Sequence, residues 1–283
     1  MTSQPFPGIR IPTIRTLRPG LHLLETDVED FDVRAAVLVG AERAVVWDTL
    51  AHPAQMREVA GLLRGRADRT GAAAPPAGPP ALTVVYSHAD WDHAWGTAGL
   101  ADVEAVVARE EALERFATDV PEELRTRREL EPGVWDAVRL VPPDVTFTEH
   151  LTLDLGGATL RLHALPGHTP DSIVGWIPEW GVLLVGDAVE IPLPVVNDAA
   201  AVTGWIAGLR TWCADERVRV VVPAHGRVGG RELLDYSRVY LELLVEGRLP
   251  TYGDIPLPAF YQAVHARNLD IVSGTANRQR SPT

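Results

Sequence analysis

The stretch Leu82 to Gly99, LTVVYSHADWDHAWGTAG, constrains this chain more than any other. Its first five residues, Leu82 to Tyr86, have the length and β-branched content of a buried strand. The strand then breaks into H-x-D-x-D-H, with the metal-binding side chains His88, Asp90, Asp92 and His93 inside six residues. A strand that ends in a loop of imidazoles and carboxylates aims several ligands into one crevice. A metal site is the first expectation, and the rest of the chain has to supply the missing ligands.

Composition narrows the partners. The 283 residues are 46% hydrophobic, enough for a sizeable core. Every basic residue is Arg, and the net charge of −12 argues against nucleic acid or an anionic membrane as partner. The single cysteine, Cys213, excludes an intramolecular disulfide framework and a Cys-rich zinc site. The first residues, MTSQPFPGIRIPTIR, carry no apolar targeting core, and no apolar run reaches spanning length. The expectation is a soluble, cytoplasmic protein acting on a small molecule.

Residues 1–19 read as an irregular N-terminal arm, and 20–25, 33–39 and 44–48 as three strands of a meander. Residues 54–64 have helical spacing, and 71–80 (GAAAPPAGPP) form a low-complexity connection. After the opening stretch, 105–108 reads as a strand and 110–118 and 121–130 as charged helices within an insertion around 109–144. Those charges suit a solvated helix face; the alternative is a cap over a cleft. Segments 147–153 and 158–165 pair about Gly156-Gly157 as a hairpin. Strands at 173–177, 182–185 and 218–222 alternate with helices at 202–213 and 230–246, and 266–283 reads as a polar tail. Strands, helix, strand, helix, then the same again, suggests two similar halves stacked sheet to sheet with helices outside. That is a four-layer αββα sandwich of the α/β class, and a single domain over 20–265.

Three later strands share a local design, each ending in a potential ligand beside Gly. They run into Gly167-His168, Gly186-Asp187 and His225-Gly226. Gly permits the backbone angles and close approaches a ligand loop needs. A lone strand-end His or a Gly-Asp pair is commonplace. Four ligands in six residues followed by three more in chain order are not.

With these residues in place the chain resembles the metallo-β-lactamase-fold superfamily, whose signature is H-x-H-x-D-H followed by a His, an Asp and a His at later strand ends. The resemblance covers roughly 20–246. It implies that His88, position 90 and His168 hold one metal, that Asp92, His93 and His225 hold a second, and that Asp187 bridges both. The departure is Asp90, which stands where the signature has its second His. Zinc is the first expectation for the two divalent ions. A carboxylate at position 90 makes the site harder and more anionic, which favours iron or manganese. The implied activity is hydrolysis, in which hydroxide generated at the metals attacks the carbonyl of an ester, lactone, thioester or β-lactam, with Asp92 also orienting the nucleophile or moving its proton. The alternatives are an iron-dependent oxidoreductase of sulfur dioxygenase or diiron type on the same fold, suggested by Asp90, and a small-molecule phosphodiesterase.

Residues near the ligands have their own readings. Asp48, closing the strand AVVWD, is either a hydrogen-bond partner for a ligand or a plain turn residue. Trp91 and Trp95 read as core. His22, His52, His150, His163 and His265 read as structural or exposed, and Asp171 and Ser172 as fixing the His168 loop. Substrate choice is expected to depend on the 109–144 insertion and on the loop 190–198, EIPLPVVND.

Overall fold

A computed structural model describes residues 8–29, 31–64, 81–248 and 257–279. The 71–80 connection lies outside the described residues, as do 1–7 of the arm and 280–283 of the tail. The chain divides into two compact units, Met1–Arg161 and Leu162–Thr283.

In the first unit, seven strands form one sheet in sequence order: β1 (Thr13–Arg18), β2 (Leu21–Val28), β3 (Phe31–Val39), β4 (Arg43–Trp47), β5 (Ala81–Val85), β6 (Val103–Arg109) and β7 (Val145–Phe147). β1 to β4 are the antiparallel meander, with Leu24 opposite Ala35 and Val37 opposite Val46. β4 through β7 are parallel, with Val46 opposite Val84 and Val84 opposite Val106. Parallel strands buried on both faces lose polar alternation and become nearly continuous apolar runs. Leu82 to Val85 behave in this way, every one of them buried. On one face Leu24, Val37, Val46, Val84 and Val106 pack with Tyr86, Trp91, Trp95 and Trp135. Short helices α1 (Val59–Arg64) and α2 (Trp91–Ala94) flank β5, and α3 (Glu111–Ala117) and α4 (Asp119–Leu130) fill the span between β6 and β7.

β1 occupies part of the segment expected to be irregular. Its burial pattern offers no apolar face, so the periodicity that reveals a strand is missing. Backbone pairing to β2 and the Arg15–Glu25 ion pair at 2.8 Å hold it instead.

A second, five-stranded sheet has the order β12-β11-β10-β9-β8, formed by β8 (His150–Asp154), β9 (Thr159–Ala164), β10 (Ile173–Ile177), β11 (Val182–Gly186) and β12 (Val220–Pro223). β10 and β11 are antiparallel, and β11 and β12 parallel. Gly156 and Gly157 adopt φ of 74° and 100° in the β8–β9 turn, as a tight hairpin requires. In the second unit α5 (Val202–Ala214), α6 (Glu232–Val245) and α7 (Ala259–Gln279) accompany this sheet. Trp205, Leu209, Tyr240 and Leu241 pack with Leu183 and Val185, and Tyr261 and Val264 of α7 join them. α7 runs through residue 266, where the sequence suggests that a polar tail begins. Only a few side chains of this largely polar helix are buried, too few to write an apolar period into its sequence.

Among the described residues no helix is long and apolar enough to cross a membrane.

Candidate metal centre

In the first unit, β5 ends at Val85 and Tyr86 N donates to Val107 O of β6 at 3.0 Å. The chain then leaves the sheet, and the single turn of α2 opens at Asp90, whose backbone is extended (φ −64°, ψ 154°). His93 N and Ala94 N both donate to Asp90 O at 3.0 Å. This turn sends Trp91 and Trp95 into the core, where each meets Trp135 edge to face. It brings the His93 ring to 4.0 Å from that of His88. His88, Asp92 and His93 are all buried. His88 Nε2 lies 3.4 Å from Asp90 Oδ2, and His93 Nε2 3.7 Å from Asp92 Oδ1.

Asp48 orients this cluster. It sits just past β4 at φ 60°, a left-handed conformation that Asp tolerates better than most residues. Its buried carboxylate accepts from Ser87 N at 2.7 Å and Ser87 Oγ at 2.8 Å, and Oδ2 lies 3.0 Å from His93 Nδ1. A proton shared on that side fixes the tautomer and places the ring's lone pair on Nε2. The two readings of Asp48 thus resolve in favour of the hydrogen-bond partner. Gly96 completes the fit, because a Cβ there would collide with the carbonyl oxygen of Thr49.

The α3–α4 insertion has two differently used faces. Glu122, Arg125 and Glu129 pair with one another in solvent, the solvated face expected from the charges. Arg115, Glu123 and Arg127 turn toward the motif instead. Arg115 Nη2 donates to Asp90 Oδ1 at 2.6 Å, and the Arg127 guanidinium lies 3.6 Å from the centre of the Trp91 ring. Burial raises the Glu123 carboxyl above the usual range, Arg127 opposes that rise, and the charges of Asp90 and Asp92 add to it.

In the second unit, β9 leads through Leu165-Pro166-Gly167 to His168. Gly167 lies against Trp205, which leaves no room for a side chain. Ser172 braces the loop: its Oγ accepts from Thr169 N at 3.1 Å, and its carbonyl accepts from Leu165 N at 2.9 Å. His168 Nδ1 meets Val195 O at 3.0 Å, and Asn197 Nδ2 donates to His168 O at 3.0 Å. Asp187 follows β11 and His225 follows β12, as the strand-end pattern predicts. Asp187 Oδ2 lies 3.6 Å from His168 Nε2 and 3.3 Å from His225 Nε2. All three residues are buried.

The loop 190–198 is anchored from α7, a signal absent from its sequence. Asn268, wholly buried, accepts from Val196 N at 2.9 Å and donates to Pro194 O at 2.8 Å and Tyr240 Oη at 2.9 Å. Arg267 Nη2 donates to Asn197 Oδ1 at 2.8 Å, and Tyr261 Oη to Glu190 Oε1 at 2.9 Å. Burial raises the Glu190 carboxyl to about 7; His225 and His168 pull it down while Asp187 pushes it up. Leu193 and Val196, apolar residues of this loop, are fully buried in the core of this unit.

The donor set is imidazole and carboxylate, with no thiolate: Cys213 lies on α5. Such donors fit borderline divalent ions, and buried carboxylates facing imidazole nitrogens are the arrangement a cation stabilises.

Comparison with known proteins identifies the family. The profile of the family described as the metallo-beta-lactamase superfamily matches residues 29–243. The chain belongs to that superfamily. Its α/β fold class, read from the sequence, is thereby borne out, and the family is one of metal-dependent hydrolases. A metallo-beta-lactamase type 2 of Bacteroides fragilis is 33% identical over 110 residues, which are 37% of this chain and 44% of that protein. The chain thus matches less than half the length of this relative. Among solved structures, a metallo-beta-lactamase family protein of Thermus thermophilus superposes with a TM-score of 0.64 at 20% identity, over 92% of each chain. The stereoselective inverting sec-alkylsulfatase of a Pseudomonas species superposes with a TM-score of 0.63 at 20% identity, over 84% of this chain and 42% of that one. At such identities these structures show the shared fold alone.

Proposed function

We propose that this member of the metallo-beta-lactamase superfamily is a dinuclear hydrolase of small-molecule carbonyl esters, lactones, thioesters or β-lactams. His88, His168 and Asp187 are the proposed ligands of one divalent ion, and Asp92, His93 and His225 those of the other. Asp187 is the proposed bridge. The observation that supports the reading is its Oδ2, which lies 3.6 Å from His168 Nε2 and 3.3 Å from His225 Nε2, one imidazole proposed for each ion. Two divalent ions held by these residues, zinc first among the candidates, would supply a water acidified to near neutral pH and a Lewis acid for the substrate oxygen.

The protein's own groups do the rest. Asp48 holds His93 through Nδ1, and Val195 O holds His168 in the same way, so both rings present Nε2. Asp92 is the proposed group that orients the nucleophilic water and passes its proton toward the leaving group. The iron-dependent alternative depends on Asp90 as a carboxylate ligand, and Arg115 engages that carboxylate at 2.6 Å. This favours the hydrolytic reading.

The test is elemental analysis of protein purified without chelator, followed by hydrolysis of lactone, thioester, β-lactam and phosphodiester panels. Two zinc equivalents with hydrolysis of a carbonyl substrate are expected, and both are expected to fall together in His93→Ala and Asp187→Ala. Iron with oxygen consumption, or either variant retaining full metal and turnover, would overturn the reading.

A further inference from the structure

Asp90 stands where the superfamily signature carries an imidazole, and its surroundings explain how the chain lives with a carboxylate there. It occupies the residue before α2, a position where a side-chain oxygen ordinarily accepts from the helix's first amides. Asp90 makes no such bond. Oδ1 accepts instead from Arg115 Nη2 at 2.6 Å, while Oδ2 lies 3.4 Å from His88 Nε2. Arg115 is itself fixed. Its Nε and Nη2 donate to Asp119 Oδ2 at 3.0 and 2.8 Å, and its side chain is only 15% exposed. A short charge-assisted hydrogen bond draws electron density from the carboxylate and fixes its rotation. The guanidinium takes Oδ1 directly, and the density it draws makes Oδ2, the oxygen facing His88, a poorer metal donor.

We infer that Arg115 is a metal-tuning residue, which withholds Asp90 from the ion at His88 and keeps it as an outer hydrogen-bonding partner. The inference rests on the proposed dinuclear site. With Asp90 withheld, the first ion has His88, His168 and Asp187, two nitrogens and one carboxylate, a set suited to zinc. Released, Asp90 adds a second hard oxygen and shifts preference toward manganese or iron(II). One ion pair between α3 and the motif thus sets which metal the protein takes. Glu123, which feels the charges of Asp90 and Asp92, sits on the same side and opposes an uncompensated anion there.

The experiment is equilibrium dialysis of the full-length apoprotein against Zn²⁺ and against Mn²⁺, with elemental analysis for stoichiometry. Four proteins are compared: wild type, Arg115→Met, Asp90→Asn and the double variant. Partners that orient metal ligands are worth ~10–100-fold in affinity, so Arg115→Met is expected to tighten Mn²⁺ binding at one of the two sites by at least ~10-fold. Asp90→Asn alone is expected to shift neither affinity by more than ~3-fold, and the double variant to return to wild-type values. This is the signature of an effect routed through Asp90. Arg115→Leu, which also removes the cation, is expected to tighten Mn²⁺ binding in the same direction and serves if Arg115→Met does not fold. A loss of ~10-fold or more in Asp90→Asn alone would show Asp90 to be a ligand and overturn the inference. So would a folded Arg115→Met or Arg115→Leu with unchanged selectivity. Wild-type apoprotein that takes up neither metal would overturn the dinuclear reading itself, an outcome distinct from the others.

Discussion

Two carboxylates flank the motif's imidazoles in different ways, and each can be separated by substitution. Asp48 Oδ2 lies 3.0 Å from His93 Nδ1 in a fully buried setting, so Asp48→Asn keeps the shape and removes the charge. The amide is expected to weaken metal binding ~10–100-fold with little change in secondary structure. Competition with a chromophoric chelator measures this, and unchanged affinity would mean packing alone orients the ring. Asp48 was legible in the sequence as the last residue of an apolar run, though its role was not, since a turn residue has the same local signature. Arg115 was not legible. Its partner is 25 positions away, and among the Glu and Arg residues of α3 and α4 nothing local distinguishes the guanidinium groups turned inward from those in solvent. Asn268 and Glu190 were hidden for the same reason, because each is defined by a distant buried partner and not by its neighbours in the chain.

Among the elements, the central strands were the most legible, since burial on both faces writes itself as an apolar run. The residues proposed as ligands follow the ends of β5, β9, β11 and β12, the strand ends that the sequence pattern singles out. β1 and α7 escaped because neither is chiefly apolar; one depends on ladder hydrogen bonds and the other on a few buried contacts. α7 is the element whose role most exceeds its appearance. Asn268→Leu would leave Val196 N, Pro194 O and Tyr240 Oη buried without this partner, and each such loss costs ~1–3 kcal/mol. The variant is expected to lose at least ~2 kcal/mol in urea melts. It is also expected to bind metal more weakly, because the freed loop carries Val195 O, the partner of His168 Nδ1. Lost stability with metal affinity intact would separate the helix from the ligand loop.

For the molecule as a whole, pH acts through groups outside the ligand set. Glu25 is held down to about 2, chiefly by the Arg15 hydrogen bond, with burial opposing and Arg34 assisting. Because the folded state favours its ionised form, its contribution is fully present above the ordinary value of 4.5 and is lost as pH falls from there toward about 2. Glu25→Gln is expected to cost about 1 kcal/mol at pH 7 after solvent screening, and to unfold with a shallower acid dependence below pH 4.5. Urea melts at pH 7 and 3 check both signs, and parallel acid curves for the two proteins would reject the assignment. The parallel order of β4, β5, β6 and β7 has a wider consequence. Parallel strands point the same way, so Asp48, the H-x-D-x-D-H loop and the helices inserted after β6 all emerge from one rim of the sheet. Whatever lineage or engineer lengthens, trims or replaces residues 110–144 edits the neighbourhood of the H-x-D-x-D-H loop while leaving the strand ladder beneath it intact. The scaffold can therefore exchange specificities by splicing at a single rim.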